Sequence, residues 1–230
     1  MTYKYLRSVL ILIGVLALQF KGFAQVKVQN IGTVDGVNVA KEEVRREMRR
    51  YRFEVYNFVA SKKGEINGAE SIEILRKKAI DSLAVIKVQE KLLTERNLWP
   101  YKDYQEFLTD LHNSNNNRRK LSANGQVIYG PVEYNEQTFF DYRFSNALIQ
   151  LKQKLVAEKL ITITDDNLQT KFKKLQETVY KEEKYTLSAF ARQVKDAYIE
   201  EAYAALIKHY AQNAKRNLDL NKVNQINLTN

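Results

Sequence analysis

The stretch SIEILRKKAIDSLAVIKVQEKLLTERN, residues 71–97, decides the fold. As one helix it would run about 40 Å, at roughly 1.5 Å per residue. Ile72, Leu75, Ala79, Leu83, Ile86 and Leu93 recur on one face, while Ile74, Val85, Val88 and Leu92 form a second, nearly opposite face. A helix that is apolar on two sides is sandwiched between other elements, so this segment is expected to be the spine of the molecule. Glu90 falls within the first face. A buried catalytic carboxylate is one reading of it; a glutamate at the margin, reaching water or a basic neighbour, is the more common one. Asn97 suits the end of the helix, because asparagine accepts the left-handed conformation that terminates helices.

Before the spine, residues 31–39 read as a short strand, a turn at Asp35-Gly36 and an extended entry to a helix. Glycine tolerates positive φ there and aspartate can bond its own backbone. From Lys41, the residues Val44, Met48, Tyr51, Val55 and Phe58 recur at spacings of four and three and predict one buried face. Arg45, Arg46, Glu47, Arg49, Arg50 and Arg52 are expected to form its solvated side. Phe53 lies nearly opposite the apolar stripe. Residues 61–68 are a linker.

Beyond the spine, Trp99-Pro100 stops one helix and starts a shorter one carrying Tyr104, Phe107, Leu108 and Leu111. By composition the run Asn113-Ser114-Asn115-Asn116-Asn117 is a loop, with the exposed turn of a longer helix as the alternative. Asn124-Gly125 and Tyr129-Gly130-Pro131 mark turns. Asn135 caps a helix that buries Phe140, Phe144, Leu148, Leu151 and Leu155. Thr164 caps the next, with Leu168, Phe172, Leu175 and Val179 on its apolar face and Asp165 and Asp166 at its positive end. Period-two alternation from Tyr185 to Phe190 predicts a strand. A closing helix over about residues 196–214 is expected to bury Ile199, Tyr203, Leu206 and Tyr210, leaving a partly ordered asparagine-rich tail from Leu218.

The chain of 230 residues begins with the layout of an export signal: Lys4 and Arg7, an apolar run from Val9 to Phe20, then small residues before a cut expected after Ala24. An apolar run of about a dozen residues is short of the roughly 20 needed to span a bilayer. The mature protein is therefore expected at residues 25–230, a single helical domain, periplasmic or secreted, with no stable membrane span. Cleavage would remove three of 37 basic residues and no acid, leaving 34 against 27 and a net charge of +7. That balance in an exported chain argues against nucleic acid as a partner. With Pro 2, Gly 8 and 44% apolar residues, the composition favours a mainly helical protein.

Cys 0 excludes disulfides and thiolate metal sites, and His 2 leaves too few imidazoles for an ordinary zinc site. No glycine-rich phosphate loop occurs, and neither His112 nor His209 sits in a recognisable catalytic motif. No catalytic residue, metal ligand or cofactor site is assigned, and the chain is not read as an enzyme. The positive signal is aromatic, with Tyr 14 and Phe 10. Phe53, Tyr56, Tyr101, Tyr104, Phe107 and Tyr129 are the candidates for holding apolar peptide segments, since tyrosine buries large area with few rotors while tolerating water.

Val34-Asp35-Gly36-Val37-Asn38-Val39-Ala40-Lys41-Glu42-Glu43-Val44 resembles the V-N-G-x-x-I-T-x-x-E-[FV] opening of the SurA/PrsA-type exported chaperones, helical modules usually joined to parvulin prolyl isomerases. Leu83, Val88, Leu93 and Asn97-Leu98 are similar to the family's long helix, which ends in Gly-Ile, with Asn97 in the glycine's place. Ile161-Thr162-Ile163-Thr164-Asp165-Asp166-Asn167-Leu168 looks like its I-x-V-T-D-E-E-[VL] helix entry. Two departures stand out: Ala40 replaces the usual capping threonine, and no room for a parvulin domain separates Phe190 from the closing helix. The resemblance implies a multi-helix module with one small two-stranded pairing, between strands near Val34 and Tyr185. It implies an ATP-independent holding chaperone or assembly factor for unfolded exported or outer-membrane polypeptides, with a homodimer one possible state. A non-catalytic subunit of one envelope complex is the alternative, and a residual peptidyl-prolyl isomerase the third.

Overall fold

The computed structural model describes residues 28–62, 66–179 and 186–228; the segment expected to be an export signal and Tyr185 lie outside them. The described residues are mainly helical, with one small three-stranded antiparallel sheet.

Strands β1 (Asn30–Val34) and β2 (Val37–Ala40) form a hairpin whose two-residue turn has positive φ at both Asp35 (50°) and Gly36 (86°). Those angles match the right-handed twist of the flanking strands. The hairpin buries Ile31, Val34 and Val39. Its second neighbour is not near Tyr185. Leu187 to Phe190 forms a turn, and β1 pairs instead with β3 (Arg216–Leu218), which follows the closing helix. Gly32 makes this possible: at φ 135° a Cβ there would sit 2.1 Å from the carbonyl oxygen of Asn217.

Helix α1 (Lys41–Ser61) starts without a capping side chain at Ala40, but the Ala40 N–H donates to Glu43 Oε2 at 2.9 Å, so one orphan donor is satisfied from within the helix. Val44, Met48 and Val55 are buried as expected. Phe58 is exposed, because the last turns of α1 leave only Val59 half-buried. Helix α2 (Gly68–Thr94) is the spine. Asn67 accepts from the N–H groups of Ala69 and Glu70, and Glu70 returns a bond to Asn67 N. Both apolar faces are covered along residues 83–93, with Val85 the exposed exception. Asn97, at φ 56°, ends the segment with Leu98 N bonded to Leu93 O at 2.9 Å.

Helix α3 (Tyr104–Ala123) runs straight through the asparagine cluster, so the composition-based loop is overturned. Asn115 accounts for this: its amide donates to Tyr134 O and accepts from Tyr134 N, each at 2.8 Å. Helices α4 (Glu136–Ala157) and α5 (Asp165–Thr178) begin at the caps expected from sequence, Asn135 and Thr164. Val179 remains exposed beyond α5. The closing helix α6 (Ala191–Asn213) packs on α2 and α5 and buries Val194, Tyr203, Ile207 and Ala211; Ile199, Leu206 and Tyr210 are only half-buried. The tail is folded as far as residue 228. It forms β3 and α7 (Leu220–Asn224) and sinks Val223 and Ile226 into the core, where Ile226 O accepts from Arg76 Nε at 2.7 Å.

Candidate functional site

Where the first turns of α1 meet the second half of α2, the interior is ionic. Arg46 and Glu47, read from sequence as solvated, are 1% and 0% exposed, and Glu43, Lys87 and Glu90 are buried with them. The expectation failed because β2, α2 and α4 cover the side of α1 that carries Glu43, Arg46 and Glu47, while Arg49 and Arg50 stay exposed. Lys87 Nζ donates to Glu43 Oε1 at 2.7 Å and to Glu90 Oε2 at 2.8 Å. Glu47 accepts from Arg46 Nε at 3.2 Å and from Ser82 Oγ at 2.9 Å. The Arg46 guanidinium lies 3.7 Å from the centre of the Phe140 ring, and its two Nη atoms have no hydrogen-bond partner among the described residues.

Burial opposes the Lys87 charge, but Glu43 and Glu90 together outweigh it and hold the ammonium's pKa above its usual value. Glu90 goes the other way. Burial raises its pKa more than Lys87 lowers it, and Glu43 adds to the rise. A lysine held protonated by two carboxylates is a poor base or nucleophile. Its role here is to neutralise Glu43 and Glu90. This cluster floors a cavity of about 270 Å³, walled by Trp99, Tyr101, Tyr104 and Phe107.

The six aromatic candidates fall in three places. Tyr101, Tyr104 and Phe107 are buried in a ring cluster with Trp99, Phe139 and Phe140, so they shape the cavity wall and hold α3 to α4. Tyr101 donates to Asp110, which also pairs with Arg143 Nη2 at 2.6 Å. Burial first, then the Asp110 hydrogen bond for Tyr101 and the Glu136 charge for Tyr104, pushes the two hydroxyls up, so both stay protonated. Phe53 and Tyr56 are 67% and 68% exposed on the outer side of α1. Tyr129 stands on the α3–α4 loop.

Sequence reading did not anticipate the two grooves that flank α6. One, about 440 Å³, lies between α2 and α6 and is lined by Val85, Gln89, Tyr203, Ala204, Ile207 and Ala211. At its base Gln89 Nε2 donates to Tyr203 Oη at 2.7 Å, and burial pushes that phenol up to about 12. The other, about 490 Å³, lies between α4 and α6, with Ile149, Val156 and Ile199 as its apolar lining. Glu200 borders both and pairs with Lys152. The available signal was the second face of the spine: Val85 belongs to it, yet α6 does not reach far enough to cover it.

No group of three or more histidine, aspartate or glutamate side chains among the described residues is placed to hold a metal ion, and no described helix is long and apolar enough to cross a membrane. Comparisons with protein-family models, with curated proteins and with solved structures return no match to this chain.

Proposed function

We propose that this protein is an ATP-independent holding factor for unfolded exported polypeptides, related to the SurA/PrsA-type chaperones but with no isomerase domain inserted between the turn at residues 187–190 and the closing helix. The observation that carries the reading is the pair of grooves along α6, the one beside α2 mainly apolar and the one beside α4 an apolar strip among charged side chains, bordered by the exposed side chains of Val85 and Ile149. An extended segment laid in either groove buries its own apolar side chains against a preformed wall. Charged rims at Lys152, Glu200 and Arg216 keep the surface soluble when it is empty. Binding depletes the aggregation-prone species by mass action, and release is spontaneous. The hairpin leading into α1 and the long spine support the same family reading, whereas the pairing of β1 with β3 departs from it.

The test is light scattering after dilution of a denatured outer-membrane protein. The wild-type chain is expected to suppress aggregation near stoichiometric ratio. The double substitution Val85→Asp and Ile149→Asp, at exposed positions, should abolish most of that suppression while the thermal transition stays in place. A wild-type chain that leaves the scattering curve unchanged would overturn the proposal. Capture of one stoichiometric envelope partner, in place of many unfolded ones, would move the assignment to a dedicated subunit.

A further inference from the structure

The loop joining α3 to α4, residues 124–135, carries apolar side chains outward. Val127, Tyr129 and Val132 are 80%, 89% and 46% exposed. Connecting segments are ordinarily polar at such positions. The loop is also held rigidly from below. Arg118 donates from Nε to Pro131 O at 2.8 Å and from Nη2 to Tyr129 O at 2.7 Å, with its guanidinium 4.9 Å from the centre of the Tyr134 ring. Asn115 clamps both backbone groups of Tyr134, and Arg119 pairs with Glu133 at 2.6 Å. Gly125 and Gly130 provide the positive-φ corners. The backbone is thus ordered before any partner arrives, which removes much of the entropic cost of docking the side chains.

Side chains this exposed form a protruding tip, not a groove. A tip is poorly shaped to enclose a peptide strand and well shaped to enter an apolar medium outside the molecule. Its surroundings are basic. Arg118, Arg119 and Lys120 follow one another on the last turns of α3, Glu133 is the loop's one acid, and the neutral carbonyls that accept from Arg118 leave its charge uncompensated. Tyrosine beside valine suits the boundary between headgroups and acyl chains, where one end of the side chain stays wet. We infer that the 124–135 loop seats this protein on anionic lipid surfaces, Val127, Tyr129 and Val132 entering the interface while the positive charge of Arg118 and Lys120 draws the tip to the headgroups. One short tip gives weak, reversible attachment that salt loosens. This role is independent of client binding along α6.

The experiment is co-sedimentation of the protein, in the form that accumulates after any N-terminal processing, with phosphatidylcholine vesicles made with and without phosphatidylglycerol. Binding is expected only with phosphatidylglycerol, and should fall as salt rises. The triple substitution Val127→Ser, Tyr129→Ser and Val132→Ser should lower the bound-to-free ratio by about tenfold or more, given the apolar area removed. Phe53→Ser with Tyr56→Ser should leave the ratio unchanged. Circular dichroism melts confirm that each variant folds. Absent binding, binding indifferent to lipid charge, or equal binding by the triple variant would each overturn the inference. Unchanged vesicle binding together with lost aggregation suppression in the triple variant would assign the tip to polypeptide clients instead.

Discussion

The two halves of α1 invert the usual relation between residue type and burial. Its first turns bury Glu43, Arg46 and Glu47, whereas its last turns expose Phe53, Tyr56 and Phe58. Both halves share one amphipathic pattern and a similar mix of basic and apolar residues, so the difference comes from the neighbours. The first half is enclosed on its inner side, where Arg46 lies on Phe140 and Glu43 meets Lys87 of α2, while Arg49 and Arg50 pair at the surface with Glu136 and Asp141 of α4. The second half touches the rest of the molecule on one side, through Tyr51 with Ser82 and Glu54 with Lys78. Charge is tolerated inside because each group finds a counter-ion there. Rings are left outside because no element arrives to cover them.

The sharpest way to break the comparison is to remove the ion that neutralises the enclosed half. Lys87→Met should cost about 3–5 kcal/mol, since it strands Glu43 and Glu90 in a dry interior. Urea unfolding followed by circular dichroism measures it. The triple substitution Glu43→Gln, Lys87→Met and Glu90→Gln should recover much of that loss, because no unpaired charge is left. If the single and triple variants prove equally unstable, packing and not charge pairing holds this region together.

A smaller effect sharpens the same point through pH. Glu90 has a folded pKa raised above its unfolded value, first by burial and then by Glu43, with Lys87 and Arg46 opposing. The folded state therefore binds the proton more tightly than the unfolded chain. The stability from this group is present at and below the ordinary glutamate pKa and is lost as pH rises through the folded value. Wild-type unfolding free energy minus that of Glu90→Gln should accordingly fall as pH climbs from the ordinary carboxylate range toward neutrality. A difference that is flat, or that rises with pH, would mean Lys87 governs Glu90 after all.

How far the sequence could be read follows from the same contrast. The spine, the Asp35-Gly36 turn, the Asn97 stop and the caps at Asn135 and Thr164 were legible because each is a local property of backbone geometry or periodicity. The partner of β1 was not, since the pairing of Gly32 with Leu218 joins residues far apart in the chain and rests on where α6 delivers its end. The buried ions were missed for a related reason. Arg46 and Glu47 lie beside an apolar stripe as solvated residues do, and elements distant in sequence seal them in: α2, through Ser82 against Glu47, and α4, through Phe140 against Arg46. For the candidate site, Tyr101, Tyr104 and Phe107 were found as aromatics, but their role as wall depends on Phe139 and Phe140 meeting them across a loop. The grooves beside α6 are spaces between helices, and no single helix encodes a space.

The smallest expected effect lies in the open half of α1. Phe53→Ser with Tyr56→Ser should change stability by no more than about 0.5 kcal/mol per site, the range of surface substitutions away from packed features. Each ring touches little beyond its own helix; Arg52 over Phe53, 4.7 Å from the ring centre, is a neighbour in sequence. Removing exposed apolar area costs the folded state almost nothing, because the unfolded chain exposes that area too. Suppression of client aggregation should nevertheless weaken if these rings extend the apolar surface offered to unfolded chains. Melting curves and scattering curves on the same preparation separate the cases. Unchanged stability with weaker suppression places the rings on the client surface, and unchanged values of both remove them from it. A drop in melting temperature would show that the open half of α1 is covered in solution, and the contrast between the two halves would then fail.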